Sequence, residues 1–337
     1  MNKINFSRAR TSYDGTPFTK EKLEDWFCRE VEGDICIRLD TITTSHYIED
    51  RVKNFIKINI HKLLFASPKK LSRYTEIVDN YFSGLFRNTS GHRRKTDFGK
   101  DILKAFNYDG YRDNVLVKLA EKLNVKTCPY CNMHYTLFAE KEETKEDDGE
   151  IDKLAKFQFD HFFDKSDYPF LSMSLYNLIP SCAVCNQGKS THQLSLRFHP
   201  YHSAICEQFH FEVKNPRPLI NGARPKNGET PEEDKIEIKI VEDKCSKSEL
   251  DDFDKTFHIK TLYSRHKDIA QETFDKAYVD SYYLNPKNFK FLENADPDYL
   301  KRLWMGTYPS TDEIEKRPMT KFIQDLWNQA KQLKDDL

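Results

Sequence analysis

Two pairs of cysteines and a short polar constellation beside them are the residues whose types and spacing can do chemistry. Cys128-Pro129-Tyr130-Cys131 and Cys182-Ala183-Val184-Cys185 are both Cys-x2-Cys doublets, with fifty residues between them. Doublets so arranged suit four thiolates closing on one tetrahedral Zn²⁺. Four cysteines leave no open coordination position, so the expected ion is structural and pins the ends of a small module that lacks a core of its own. Between and beside the cysteines lie Asp160-His161, then Asn177 sixteen residues after the histidine, then Asn186-Gln187-Gly188-Lys189 nine residues further on.

This set resembles the HNH, or ββα-metal, nuclease family, in the stretches Phe159-Asp160-His161-Phe162-Phe163 and Tyr176-Asn177-Leu178-Ile179-Pro180-Ser181-Cys182 through Lys189-Ser190. The resemblance runs from Cys128 to Lys189. It implies that Asp160 and Asn186 bind one catalytic divalent ion, that His161 is the general base, and that Asn177 fixes the loop beneath that base. The residue types make physical sense of such roles. A phosphodiester has a poor leaving group, whose developing charge an oxygen-ligated hard ion can neutralise. An imidazole with an ordinary pKa of about 6.5 can take a proton from water near neutral pH. Family members often carry histidine where this chain has Asn186, and a second histidine where it has Ser190. The oxygen-rich set therefore favours Mg²⁺ or Mn²⁺, and His192, off that helical face, is left out. Adjacent strand residues point to opposite faces, so a local distortion must let both Asp160 and His161 address one phosphate.

Contacts to nucleic acid are less sharply written. Lys189 is either a phosphate contact or a solvated lysine on the module's helix. Arg87, His92, Arg93, Arg94 and Lys95 form the densest basic stretch, which reads as a solvated loop or as a surface for a DNA backbone. His199-Pro200-Tyr201-His202 either lines the cleft or makes a turn, and Tyr130, His134 and Tyr135 are expected to pack around the cysteines. Cys28, Cys36, Cys206 and Cys245 read as scattered thiols with a packing role.

The elements that must position these groups follow from periodicity. Helical spacing recurs at Leu23, Trp26, Phe27 and Val31, at Val52, Phe55, Ile56, Ile60, Leu63 and Leu64, and at Leu71, Tyr74, Val78, Tyr81 and Phe82, with Thr19 as an N-cap and Ser67-Pro68 as a stop. Two shorter helices carry Phe98 to Phe106 and Val115 to Leu123. Tyr135 and Leu137, then Phe157 and Phe159, suggest two strands of a hairpin across the polar run from Glu140 to Asp152. Strands follow at Phe209 to Val213 and Ile236 to Val241. Helices resume at Phe253 and, with Pro318 as first helical residue, at Phe322 to Trp327. The expected fold is α+β: a mainly helical protein with a central zinc-stapled ββα-metal module and a small β element in its C-terminal part. The expected division is a helical region at 1–126, the nuclease module at 127–202 and strands then helices at 203–337.

At 337 residues, with 38% hydrophobic and 32% charged content, 24 Phe and 17 Tyr, the chain reads as folded, since disordered chains are poor in aromatics. A net charge of −1 excludes a global basic field, so binding to nucleic acid would rest on local patches. No apolar leader or run long enough for a membrane span is present, and a cytoplasmic location is the expectation. The leading reading is a DNA endonuclease leaving 5′-phosphate and 3′-hydroxyl ends. An RNA-directed nuclease and a catalytically silent, zinc-containing nucleic-acid-binding or scaffold protein are the alternatives. The sequence holds no Gly-x4-Gly-Lys-Ser/Thr loop for nucleotide hydrolysis. A central HNH module among helices resembles the nuclease subunits of Septu-type bacterial anti-phage systems, which implies a separate ATPase partner. One centre cuts one strand, so a double-strand break implies an oligomer or two events.

Overall fold

Thr19 is extended and accepts a hydrogen bond from the Lys22 amide, which starts helix α1 (Lys20–Asp40) where the capping signal predicts it. The computed structural model describes residues 3–4, 10–11, 15, 17–88, 94–140, 153–155, 157–216, 236–283 and 296–335. Within them the chain is mainly helical with small two-stranded antiparallel sheets, an α+β arrangement. Among the described residues no helix is long and apolar enough to cross a membrane. The chain divides into two compact units. One comprises Lys3–Val125 and Thr136–Ser203; the other comprises Met1–Asn2, Lys126–Tyr135 and Ala204–Leu337. The helices before residue 126 and most of the expected module thus share one unit, whereas the first cysteine pair groups with the C-terminal part.

In the first unit a short ladder of β1 (Arg10–Thr11) and β2 (Pro17–Phe18) precedes α1. Helix α1 buries Leu23, Phe27, Val31, Ile35 and Leu39 along one stripe. Each such side chain, fully removed from water, contributes about 1.5–3 kcal/mol. Next come α2 (Tyr47–Ile58), α3 (Ile60–Leu64) and α4 (Pro68–Tyr81). Ser67-Pro68 is a start and not the predicted stop: Ser67 is the N-cap and Pro68 opens α4, where its missing N–H costs nothing. Helix α5 (Asp97–Phe106) begins at Thr96, whose hydroxyl accepts from the Gly99 amide at 2.9 Å. Gly99 lies against the Phe86 carbonyl so closely that a Cβ would stand 2.1 Å from that oxygen, so only glycine fits. Phe86 in turn stacks between Phe98 and Phe170, tying α5 to the turn Pro169–Leu171. Asn107, left-handed at φ 50°, ends α5 and leads into α6 (Tyr108–Tyr111), followed by α7 (Val115–Leu123).

The predicted antiparallel pairing across the Glu140–Asp152 run is present but shifted by a few residues, and Phe159 belongs to a second ladder. Strand β3 (Phe138–Glu140) pairs with β4 (Lys153–Ala155), whereas β5 (Gln158–His161) pairs with β6 (Leu178–Ser181). Tyr135 and Leu137 are half exposed and stand outside these strands, so their alternation is not that of a half-buried strand. Helix α8 (Ala183–Lys189) follows β6 directly.

In the second unit the two expected strands lie close to their predicted bounds, and β7 (Phe209–Val213) pairs with β8 (Ile238–Glu242). Helices α9 (Lys247–Phe257), α10 (Ile259–Tyr263), α11 (Lys267–Tyr283), α12 (Pro297–Met305) and α13 (Thr320–Asp335) complete it. Pro318 precedes α13 and does not open it: Met319 is left-handed at φ 60°, and the helix starts one residue later. Phe211, fully buried, touches the rings of Phe209, Tyr263 and Phe322.

Candidate active site and metal centre

Strand β5 ends at His161 and β6 returns antiparallel to it, with Asp160 opposite Ile179 and His161 opposite Leu178. The intervening loop is held by Asn177. Its Oδ1 accepts from the Phe163 amide at 2.8 Å, and its Nδ2 donates to the carbonyls of Phe163 and Leu171, each at 3.0 Å. Asn177 is fully buried and these bonds meet its carboxamide's needs, so its identity is dictated by the loop.

His161 is buried, and its Nε2 lies 2.9 Å from the Ser172 carbonyl. A carbonyl can only accept, so Nε2 carries the hydrogen and Nδ1 is the ring's basic atom. The Tyr108 ring stands edge-on, 4.5 Å away between centroids, and the Tyr108 hydroxyl donates to the Phe159 carbonyl. Burial first, then the Lys165 ammonium, pushes the His161 pKa down to about 3. The imidazole is therefore neutral at neutral pH.

Asp160 is 2% exposed. Lys189 Nζ lies 3.2 Å from its Oδ1 and donates to the His161 carbonyl at 2.7 Å. Lys189 is thus neither solvated nor presented to a phosphate at the surface: its side chain is completely buried, pinning α8 to the end of β5. Asn186, one turn earlier, donates from Nδ2 to Gln158 Oε1, which leaves its own Oδ1 as the atom suited to a cation.

Asp160, His161 and Asn186 line one cleft of about 540 Å³, together with Tyr108, Arg112, Gln158, Asp164, Lys165 and Ser166, among others. Both neighbours Asp160 and His161 reach it because His161 is the last ladder residue, where the pleat ends. Periodicity and motif reading missed Arg112, Lys165, Tyr108 and Gln158. Arg112 and Tyr108 belong to the α6–α7 region, about fifty residues earlier in sequence, and no local signal connects them to the cleft. Lys165 lies 4.1 Å from the Tyr108 ring centroid and 3.7 Å from Asp109, and burial lowers its pKa.

Of the basic stretch, Arg93 and His92 lie outside the described residues. Arg87 is engaged by Asp167 at 2.7 Å. Arg94 and Lys95, with Lys100 and Ser166, line a second cleft that shares Ser166 with the first. His199 does not line the cleft. It is buried against Phe162, 4.2 Å between ring centroids, and burial lowers its pKa to about 3. His192 is exposed and also outside the cleft lining.

Each cysteine pair is held by its local backbone. Asn132, left-handed at φ 52°, closes the first turn with its amide on the Cys128 carbonyl, and the Met133 amide points to Cys131 Sγ at 3.4 Å. Tyr130 is fully buried and stacks on Phe257, and the Tyr263 hydroxyl donates to the Cys131 carbonyl. His134 Nδ1 stands 3.7 Å from Cys131 Sγ, while Tyr135 is half exposed and does not pack there. Cys182 is the N-cap of α8, accepting from the Cys185 amide. All four cysteines are buried, and their sulfurs lie within 4.8 Å of one another, a donor set that fits a structural ion such as Zn²⁺. Comparison of the chain with protein-family models, with curated proteins and with solved structures finds no match.

Proposed function

We propose that the chain is a metal-dependent endonuclease of HNH type that hydrolyses DNA phosphodiesters. The observation that carries this reading is the β5–β6–α8 succession, which brings Asp160, His161 and Asn186 to one cleft while Asn177 and the Ser172 carbonyl hold the loop and the imidazole.

Asp160 and Asn186 would hold a Mg²⁺ or Mn²⁺ ion, since a carboxylate and a carboxamide oxygen suit hard cations. Bound there, the ion supplies charge neutralisation at the phosphate and the departing 3′ oxygen. His161 takes a proton from the attacking water at Nδ1, because Nε2 is committed to Ser172. Burial keeps the ring unprotonated at neutral pH. Arg112 and Lys165 offer charge to the phosphate being cut, and Arg94, Lys95 and Lys100 to phosphates beyond Ser166. Lys189 neutralises the buried carboxylate from within. The four cysteines would hold a structural Zn²⁺.

In this reading the products carry 5′-phosphate and 3′-hydroxyl ends, and a double-strand break needs an oligomer or a second event. The resemblance to the nuclease subunits of bacterial anti-phage systems makes a separate ATPase subunit the source of control in this reading. Supercoiled plasmid with Mg²⁺ or Mn²⁺, beside chelator controls and His161→Ala and Asp160→Ala chains of verified fold and zinc content, tests the chemistry. Nicking by the wild type alone supports it. Cleavage of RNA but not DNA would move the substrate class. No cleavage of either, even with a copurifying ATPase restored, would leave a silent nucleic-acid-binding module.

A further inference from the structure

Away from both sites, three side chains of different chemistry meet at the packing of α1 on α3. Cys28 and Glu32 are one turn apart on α1, and His61 is the second residue of α3. Cys28 Sγ lies 2.8 Å from Glu32 Oε2, His61 Nδ1 lies 2.9 Å from the same oxygen, and Sγ to Nδ1 is 3.7 Å. Sulfur, carboxylate oxygen and imidazole nitrogen thus already form a small triangle, within 4.8 Å throughout.

We propose that Cys28, Glu32 and His61 form a second transition-metal site, of Zn²⁺ class, that clips α1 to α3. A tetrahedral zinc ion with bonds of about 2.0–2.3 Å holds neighbouring donor atoms roughly 3.2–3.7 Å apart. The sulfur–nitrogen separation already matches, while the nitrogen–oxygen edge must open by about 0.4 Å and the sulfur–oxygen edge by about 0.7 Å, as the ion replaces the proton between Cys28 and Glu32 and the His61 hydrogen moves from Nδ1 to Nε2. A thiolate with an imidazole selects a borderline-soft ion over Mg²⁺ or Ca²⁺. The imidazole is backed from behind: its ring centroid is 5.0 Å from that of Phe65, which meets buried Phe27 edge-on. The His61 side chain is 65% exposed, so the fourth position faces solvent and the ion can exchange. Substituting a hydrogen-bonded trio that holds no metal would leave the metal content unchanged.

The site is independent of the nuclease reading and of the four-cysteine cluster, and the test keeps them apart. Full-length chain is equilibrated with buffered Zn²⁺ and its metal content measured beside His61→Ala, Cys28→Ser and Glu32→Gln, with circular dichroism as the check on folding. His61 is exposed enough that its replacement leaves the core intact. The expected result is one Zn²⁺ fewer per chain in His61→Ala and Cys28→Ser than in the wild type. With the cysteine cluster kept loaded with Zn²⁺, added Co²⁺ should give a sulfur-to-cobalt charge-transfer band in the wild type that Cys28→Ser abolishes. Equal zinc content in all chains, or a cobalt band untouched by Cys28→Ser, would overturn the proposal.

Discussion

The ladders β5–β6 and β7–β8 are both pairs of short antiparallel strands, yet they handle polar groups in opposite ways. In β7, Phe209, Phe211 and Val213 are buried and alternate with half-buried His210 and Glu212, as a one-sided sheet requires. Helix α13 meets this strand with polar side chains: Asp325 accepts from the Phe211 amide, and Gln329 both accepts from and donates to Val213. Polar atoms are brought in there to satisfy backbone, and everything points to packing. In β5 the strand's own Asp160 and His161 are buried, although an unpartnered buried carboxylate or imidazole would be expensive. Their partners include Lys189 and the Ser172 carbonyl, and both residues line the cleft. Burial at a cleft sets Asp160 and His161 apart from the polar atoms packed around β7.

The sharpest way to break this comparison is to remove a group from each ladder. His161→Ala should lower DNA cleavage by about 10²–10⁴-fold, the usual worth of a general base. Its stability cost should be no more than about 1–3 kcal/mol, for the orphaned Ser172 carbonyl. Phe211→Ala should do the reverse, costing about 3–5 kcal/mol of stability as a buried ring is lost, while cleavage per folded molecule is kept. Plasmid nicking and urea melts on the two variants read both quantities. If His161→Ala cleaves like the wild type, or Phe211→Ala melts like it, the contrast between the ladders disappears.

Asn177→Ala sharpens the comparison from a residue that is structural but serves the cleft. It leaves the Phe163 amide and the Phe163 and Leu171 carbonyls without their partner in a buried loop. Each orphaned group costs about 1–3 kcal/mol, less what water or relaxation recovers. Cleavage should fall with stability because the loop carries Ser172, which orients His161. Cleavage that survives a measured loss of stability would separate the loop from the chemistry.

These differences also explain what could be read in advance. The amphipathic stripe of α1, its Thr19 cap and the strands β7 and β8 were legible because period and capping are local properties. Cysteine doublets and the Asp160-His161, Asn177 and Asn186 spacing were legible as motifs, since each lies on one short stretch. Pairing partners were not. Which strand joins β5 depends on the loop closed by Asn177, and alternation at Tyr135 and Leu137 carries no information about a partner. Lys189 looked like a surface residue because a long cation usually is one. Only the position of Asp160 beside α8 explains its burial. Arg112 and Lys165 join the cleft through tertiary packing alone.

The gentlest test uses pH, and it bears on the first unit through His161 and His199. Burial depresses both rings to about 3, whereas an unfolded chain protonates them near 6.5. Between those values the unfolded state binds more protons than the folded one, so acid favours unfolding. The stability these neutral rings allow is fully present above about pH 6.5 and is lost progressively as pH falls toward 3. Each histidine adds at most about 1.4 kcal/mol per pH unit to that slope. Urea midpoints measured across this window should fall with acidification, and His199→Gln, which removes one titrating ring without touching the cleft lining, should flatten the slope by up to one proton. A slope unchanged by His199→Gln would mean that the ring is solvated or protonated in the fold. Burial as a neutral ring would then no longer describe His199, the structural counterpart of the ring at the cleft.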